Sequence, residues 1–307
     1  MNHTRRAAMS ASDTPRSLIW ATNLDVLPAD RVLERRDGYL VVRSPSNPIH
    51  WWGNLLLFDA PPAPGDGARW EDLFAKEFAA DPRIRHRTFA WDEPSGALGS
   101  AREEFQPRGY DLEETVGLLA GAGELAAHPR ENRDVLVRAL DPVAGREEQL
   151  WDEVIELQLA GYEQPLSEDM QRAFQRRRQQ DLRDLFREGR GAWYVALTPG
   201  GEEVLGSLGI VVTGGRGRFQ TVDTAREHRR RGICSRLLVA AARHSCEHHG
   251  ARQFVIGADP AYHAFALYES LGFRAVERVA GVCRELPSDN GHQAAVGDAA
   301  AGEGGAG

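Results

Sequence analysis

The chain has 307 residues, more than one hydrophobic core usually organises, so two domains of ordinary size are expected. An apolar share of 42% is typical of a soluble globular protein, and no stretch approaches the ~20 apolar residues of a membrane helix, which excludes a membrane span. A net charge of -8 argues against broad nucleic-acid binding. Cys234, Cys246 and Cys283 lack the spacing of a disulfide framework or thiolate zinc site, so a reducing cytoplasm is the expected compartment.

Residues 1–16 are polar, with Arg5 and Arg6 but no apolar run behind them, which fits a disordered leader and not a secretory or twin-arginine signal. Trp51 and Trp52 follow Pro48 and precede an expected strand over 54–58; such a pair packs a core or an interface more readily than it cages a ligand. His50 and His86 fit loop and strand positions. A Pro-rich loop, Ala60 to Gly67, leads into a helix over 69–78 and then a strand over 88–92. The loop-like segment 128–132 separates a first domain, 17–127, from a second, 134–287.

In the second domain, alternation of apolar and polar residues predicts a strand over 134–141. Helical spacing of Leu150, Val154, Leu157 and Ala160 predicts a helix over 146–161, and a second follows over 168–187. Strands over 192–197, 204–212 and 218–224, a helix over 232–249, a strand over 253–258, a helix over 261–271 and a strand over 279–286 complete it. The order β-α-α-β-β-β-α-β-α-β implies an α/β fold, a mixed sheet with helices on both faces. The tail, 288–307, is rich in Gly and Ala and too poor in large apolar residues to offset the entropy of ordering it.

The chemistry-bearing segment is 221–238, TVDTAREHRRRGICSRLL, where a strand passes through a basic turn into a helix. N–H groups in the first turn of a helix lack intrahelical partners and the macrodipole is positive there, so the turn suits a phosphate or pyrophosphate. Gly232 admits an anion close to the backbone, Arg229, Arg230 and Arg231 add charge, and Cys234 and Ser235 keep the surface small. A solvated arginine run accounts for the turn equally well until a second element is added. That element is 264–273, AFALYESLGF, one helix and one strand further on.

Together these segments resemble the acetyl-CoA site of the GNAT superfamily. An R/Q-x-x-G-x-G/A turn is matched by Arg229, Gly232 and Cys234, and an A-x-x-L-Y-x-x-x-G-F helix by Ala264, Leu267, Tyr268, Gly272 and Phe273. The resemblance covers about half the chain. It implies that Val222, Asp223 and Thr224 pair with the pantetheine arm and that Arg229 through Ser235, Ile233 included, hold the pyrophosphate. It implies that Tyr268 protonates the departing thiolate. Cys234 replaces a usual Gly or Ala and brings an oxidisable thiol into the site. Ala261 stands where many members carry an Asn that touches the cofactor, an interaction that is then absent or supplied by His263.

The activity this implies is direct transfer of an acetyl group from acetyl-CoA to an amine of a small molecule or peptide. An amine with a pKa near ~10 arrives protonated, so a base is required. Asp223, Glu163, Glu168 and Asp169 are candidates, none set apart from solvated surface charge. The competing readings are a catalytically weak acetyl-CoA-binding or assembly protein, in which Tyr268 is a core aromatic, and a phosphate-binding module, disfavoured by the missing Lys-Ser/Thr of a P-loop. A homodimer is compatible with either of the first two. No metal is expected: His244 and His248 share a helical face, but nothing completes a ligand set.

The first domain repeats the end of this pattern. Phe105, Gly109 and Tyr110 fall at the spacing of Tyr268, Gly272 and Phe273, and 88–92 parallels 255–259. The basic turn is missing and Phe105 cannot donate a proton, so a degenerate GNAT-like copy and one active site per chain are expected.

Overall fold

The structure, a computed structural model, describes residues 14–161, 168–259 and 265–286. Glu163, Ala261, His263 and Ala264, most of the expected leader and the expected tail lie outside them. The N-terminal half runs α1 (Leu18–Asp25), β1 (Val32–Arg36), β2 (Tyr39–Arg43), β3 (Leu55–Phe58), α2 (Asp66–Phe78), β4 (His86–Trp91), α3 (Ala101–Phe105) and β5 (Asp111–Gly121). The C-terminal half runs β6 (Leu136–Ala139), α4 (Glu148–Gly161), α5 (Glu168–Arg187), β7 (Gly191–Leu197), β8 (Val204–Thr213) and β9 (Arg216–Thr224). It continues with α6 (Ile233–His249), β10 (Gln253–Ala258), α7 (Phe265–Ser270) and β11 (Arg274–Glu285).

β3 and β7 are buried along their whole lengths, which is why their sequences, LLLF and GAWYVAL, are nearly continuous apolar runs without alternation. α2 buries Trp70, Phe74 and Phe78, one residue per turn on one face. α5 is mostly charged and buries a short stripe near its end, Leu182, Leu185 and Phe186. β11 starts five residues before its expected position. Its first residues are largely exposed and give no alternating signal; they pair with β5 across an irregularity between Ala275 and Glu277.

All eleven strands form one sheet in the order β1-β2-β3-β4-β11-β5-β10-β9-β8-β7-β6. The last strand of each half is laid into the other half. β11 sits between β4 and β5, and β5 between β11 and β10, all antiparallel. The cores follow the exchange: Val116, Leu118 and Ala120 of β5 pack under α6, while Ala280 and Val282 of β11 pack under α2. The halves are related as two copies about the β5·β11 pair. In each, a parallel strand pair (β3·β4 or β9·β10) brackets a long helix (α2 or α6).

Between β5 and β6 the chain crosses the α6 side of the sheet. Ala126 N–H donates to the Leu271 carbonyl at 3.1 Å and Asn132 N–H to the Gly232 carbonyl at 3.0 Å.

Candidate active site

β9 and β10 pair only from Gln253↔Arg216 to Val255↔Arg218 and then part. Past that point β9 carries an irregularity in its pairing with β8, centred on Thr221, which has φ +40°. A non-glycine residue in this region costs on the order of 1 kcal/mol or more. The bend leaves the β10-facing backbone edge of Val222, Asp223 and Thr224 without a strand partner, so its polar groups are available to a ligand.

The turn after β9 folds against this open end. Arg229 Nε donates to the Thr224 carbonyl at 3.2 Å, and Arg231 Nη1 lies 3.4 Å from His228 Nδ1. Arg229, Arg230 and Arg231 form no ion pair among the described residues, and Arg230 holds the left-handed conformation at φ +61°. α6 begins at Ile233 after Gly232, its N-cap, with no side-chain cap and no acid in the first turn. Ser235 Oγ turns back to the Gly232 carbonyl at 3.0 Å.

Two expectations about this turn change. Gly232 has a packing role beside the expected ligand approach: its φ is +74°, and a β-carbon there would collide with the Arg130 carbonyl oxygen of the crossing segment. The surroundings of Cys234 oppose the oxidation-prone thiolate form. Burial first, and then the nearby Asp223 carboxylate, push its thiol up to about 12.

Tyr268 lies 6% exposed on α7, in the same cluster as Val222, Ile233 and Cys234, with its ring 6.2 Å from that of Phe273. The β9 edge, the start of α6 and α7 thus contribute side chains to one hydrophobic cluster. Asp223 stands apart from the other expected bases. Its Oδ2 is sealed from solvent without a hydrogen-bond partner, and burial raises its carboxyl to about 6, Arg229 opposing the shift. Glu168 is an exposed residue paired with Arg172 at 3.2 Å, and Asp169 is exposed.

Asp223 opens on a cavity of about 470 Å³ between the end of α4, the start of β8 and the turn. Glu153 and Glu156 of α4 and Glu202 and Glu203 before β8 line it, an acidic wall that sequence reasoning missed because helical acids look alike until a helix is docked. At the rim Glu203, Glu227 and His228 converge within 4.8 Å, largely exposed to solvent. His244 instead stacks on His248 at 4.0 Å and lies 3.1 Å from the Tyr194 hydroxyl.

The N-terminal half offers the same backbone with different contents. Phe105 occupies the place of Tyr268, and the two turns match: Tyr110 N–H donates to the Phe105 carbonyl, and Phe273 N–H to the Tyr268 carbonyl, each at 3.1 Å. Where β9 and β10 part, β3 and β4 stay zipped through Phe58↔Trp91, and Asp92 N–H extends the pairing to the Phe58 carbonyl at 2.8 Å. At the start of α2, Glu104 accepts hydrogen bonds from the N–H groups of Gly65 at 2.6 Å and Gly67 at 3.1 Å.

Residues 151–273 match the model of the acetyltransferase (GNAT) family. The chain's fold is similar to that of a functionally unknown conserved protein from Staphylococcus epidermidis, with TM-score 0.64 and 14% identity over 84% of this chain and 95% of that one. It is also similar to a GCN5-related N-acetyltransferase from Kribbella flavida, with TM-score 0.58 and 17% identity over 93% and 98%. A tandem GNAT protein from the clavulanic acid biosynthesis pathway gives TM-score 0.51 and 19% identity over 92% and 93%. No curated protein matches the sequence significantly. The fold is therefore that of a tandem GNAT protein. The match to the acetyltransferase family model lies in its C-terminal half.

Proposed function

We propose that the chain is an N-acetyltransferase that moves the acetyl group of acetyl-CoA to a primary amine by direct attack, with one active site in the C-terminal half. The observation that carries this is the occurrence together of an open strand edge, an uncapped helix N-terminus with three arginines that form no ion pair among the described residues, and a sealed carboxylate. The first turn of α6, with Arg229 to Arg231, suits the pyrophosphate, and the Val222 to Thr224 edge suits the amides of the pantetheine arm.

Asp223 is the base. Above pH 6 its carboxylate takes the ammonium proton, and the freed nitrogen attacks the thioester carbonyl. A strand N–H steadies the developing oxyanion, the carbon–sulfur bond breaks, and the Tyr268 phenol protonates the departing thiolate. General acid–base help of this kind contributes on the order of 10²- to 10⁴-fold.

Equilibrium dialysis of acetyl-CoA, followed by release of free CoA across an amine panel, tests the assignment. Tyr268→Phe should lower turnover at least about tenfold with little change in acetyl-CoA affinity. Unaltered turnover would remove Tyr268 from the mechanism, and saturable binding without transfer to any amine would favour a binding or assembly role.

A further inference from the structure

A second cavity, about 390 Å³, lies where the halves meet, on the α5 face of the sheet. Trp20 of α1, Trp52 and Glu113 of β5 come from the N-terminal half, and Arg178 of α5 with Arg218 and Gln220 of β9 from the C-terminal half. Trp20 and Trp52 stack at 5.7 Å to form an apolar wall. The volume is that of a small-molecule site.

Two arginines line this cavity and only neutral groups meet them. Arg178 Nη1 donates to the Val26 carbonyl at 2.8 Å and Nη2 to Gln220 Oε1 at 2.9 Å, while Arg218 Nη2 donates to Asn23 Oδ1 at 3.1 Å. Arg218 Nε and Nη1 are sealed from solvent with no partner. The nearest acids are engaged elsewhere. Glu277 accepts from the N–H groups of Leu18 and Ile19 at 2.8 and 2.6 Å, and Asp181 pairs with Arg177 at 2.7 Å. Glu113, the acid on the wall, is pushed toward its neutral form by burial, and burial lowers both guanidinium groups to about 10. Asp181 and Glu277 offset the two charges only from a distance, burial being the larger effect on each, and a buried charge without a directly paired acid is costly, a cost that a bound anion reduces.

The cavity also reaches the open strand pair. Val255↔Arg218 is the last pairing of β9 with β10, and Gln220 and Gly257, two residues on along each strand, both line the cavity. A β-carbon at Gly257 would lie 2.8 Å from Arg218 Nη2, so glycine there lets the guanidinium lie across the strand. α6 packs on the opposite face, with Phe219 beneath it. The split between the strands is therefore the route by which a molecule in this cavity would reach a donor held by the α6 turn.

We propose that this cavity holds the acyl acceptor, and that the acceptor is a small amine bearing an acidic group, carboxylate or phosphate, gripped by Arg178 and Arg218. The acceptor role rests on the acyl-transfer assignment above; the preference for an acidic ligand does not. Calorimetry on the full chain without acyl donor, using the common amino acids, their carboxamides and aminoalkyl phosphates, separates the two.

At least one acid should bind about tenfold or more tightly than its uncharged counterpart, and the phosphate arm shows which acidic group is preferred. Arg178→Gln and Arg218→Gln should each abolish that preference, while Arg178→Lys and Arg218→Lys retain part of it, which also covers a Gln variant that fails to fold. Equal affinity for acids and amides, or a preference that survives both Gln substitutions, would overturn the inference. Selective acid binding with no acetyl transfer would sink the enzymatic assignment alone, and transfer to neutral amines without acid preference would sink the acceptor class alone.

Discussion

The first turns of α2 and α6 have matching backbone and opposite surroundings. Each follows a left-handed glycine at the N-cap, Gly65 at φ +88° and Gly232 at φ +74°. In α2 the exposed N–H groups receive the chain's own Glu104 carboxylate, and Asp66 adds a second acid to the first turn. In α6 the first turn has no acid, and three arginines stand before it without ion pairs among the described residues. Every helix supplies a dipole, and the surrounding sequence decides whether the anion that answers it is internal or brought in as a ligand. The strands repeat the contrast. β4 stays paired with β3 through Trp91, whereas β10 leaves β9 three residues before the matching Ala258. Equivalence is set by the shared centre: Trp91 pairs with Ala280 of β11 as Ala258 pairs with Val116 of β5.

Placing the same residue at both N-caps breaks this comparison most severely. Gly232→Asp forces a left-handed aspartate into the Arg130 carbonyl and sets a negative charge where the pyrophosphate belongs, so acetyl-CoA binding should fall more than about 100-fold. Gly65→Asp meets nothing within 4 Å, and should cost only the backbone strain, about 1 kcal/mol, with acetyl-CoA binding intact. Dialysis with a parallel thermal melt reads both. Arg231→Glu, an exposed substitution, separates loss of the anion site from loss of fold; retained binding in both C-terminal variants would sink the pyrophosphate assignment.

A smaller effect is expected at Asp223. Asp223→Asn should lower turnover about 100-fold and erase the rise in rate with a midpoint near pH 6. The same substitution should stabilise the fold. The folded carboxyl lies above its ordinary 3.8, so the native state favours the proton, and that stability is lost as pH rises through about 6. At pH 8 the asparagine variant should be more stable by on the order of 3 kcal/mol, and the advantage should vanish below about pH 4. Chemical denaturation at the two pH values checks it. A variant less stable at pH 8 would mean that the carboxylate has a favourable partner.

Local chemistry was legible in the sequence and long-range pairing was not. The bounds of α5 and β10 follow from periodicity, and the repeat of Phe105, Gly109 and Tyr110 on Tyr268, Gly272 and Phe273 marks two turns with the same hydrogen bond. The exchange of β5 and β11 leaves no such trace, because a strand's alternation shows which face is buried and not which strand lies beside it. Gly232 was recognisable as a special position, but the segment it accommodates lies about a hundred residues earlier. Arg178 and Arg218 were hidden by composition: in a chain whose only lysine is Lys76, two more arginines stand out only when a cavity shows them unpaired. The signal was there in Arg218, a charge between Gly217 and Phe219 on a strand that proves interior to the sheet.

The mildest intervention tests whether its own acid keeps the N-terminal copy from binding a donor. Glu104→Gln removes the negative charge from the first turn of α2 but leaves an amide oxygen able to accept one of the two N–H groups. The loss should be about 1 kcal/mol of stability, the weight of a charge at a helix N-terminus and a weakened hydrogen bond. The acetyl-CoA stoichiometry should stay at one per chain. Freeing that helix end is not enough, since β3 and β4 remain zipped where a pantetheine arm would need an open edge, and Phe58 stacks on Trp70 at 3.6 Å beside them. Titration calorimetry of the variant decides the point. A second binding event would mean that Glu104 alone keeps the site closed, and the strand pairing would lose its place in the explanation.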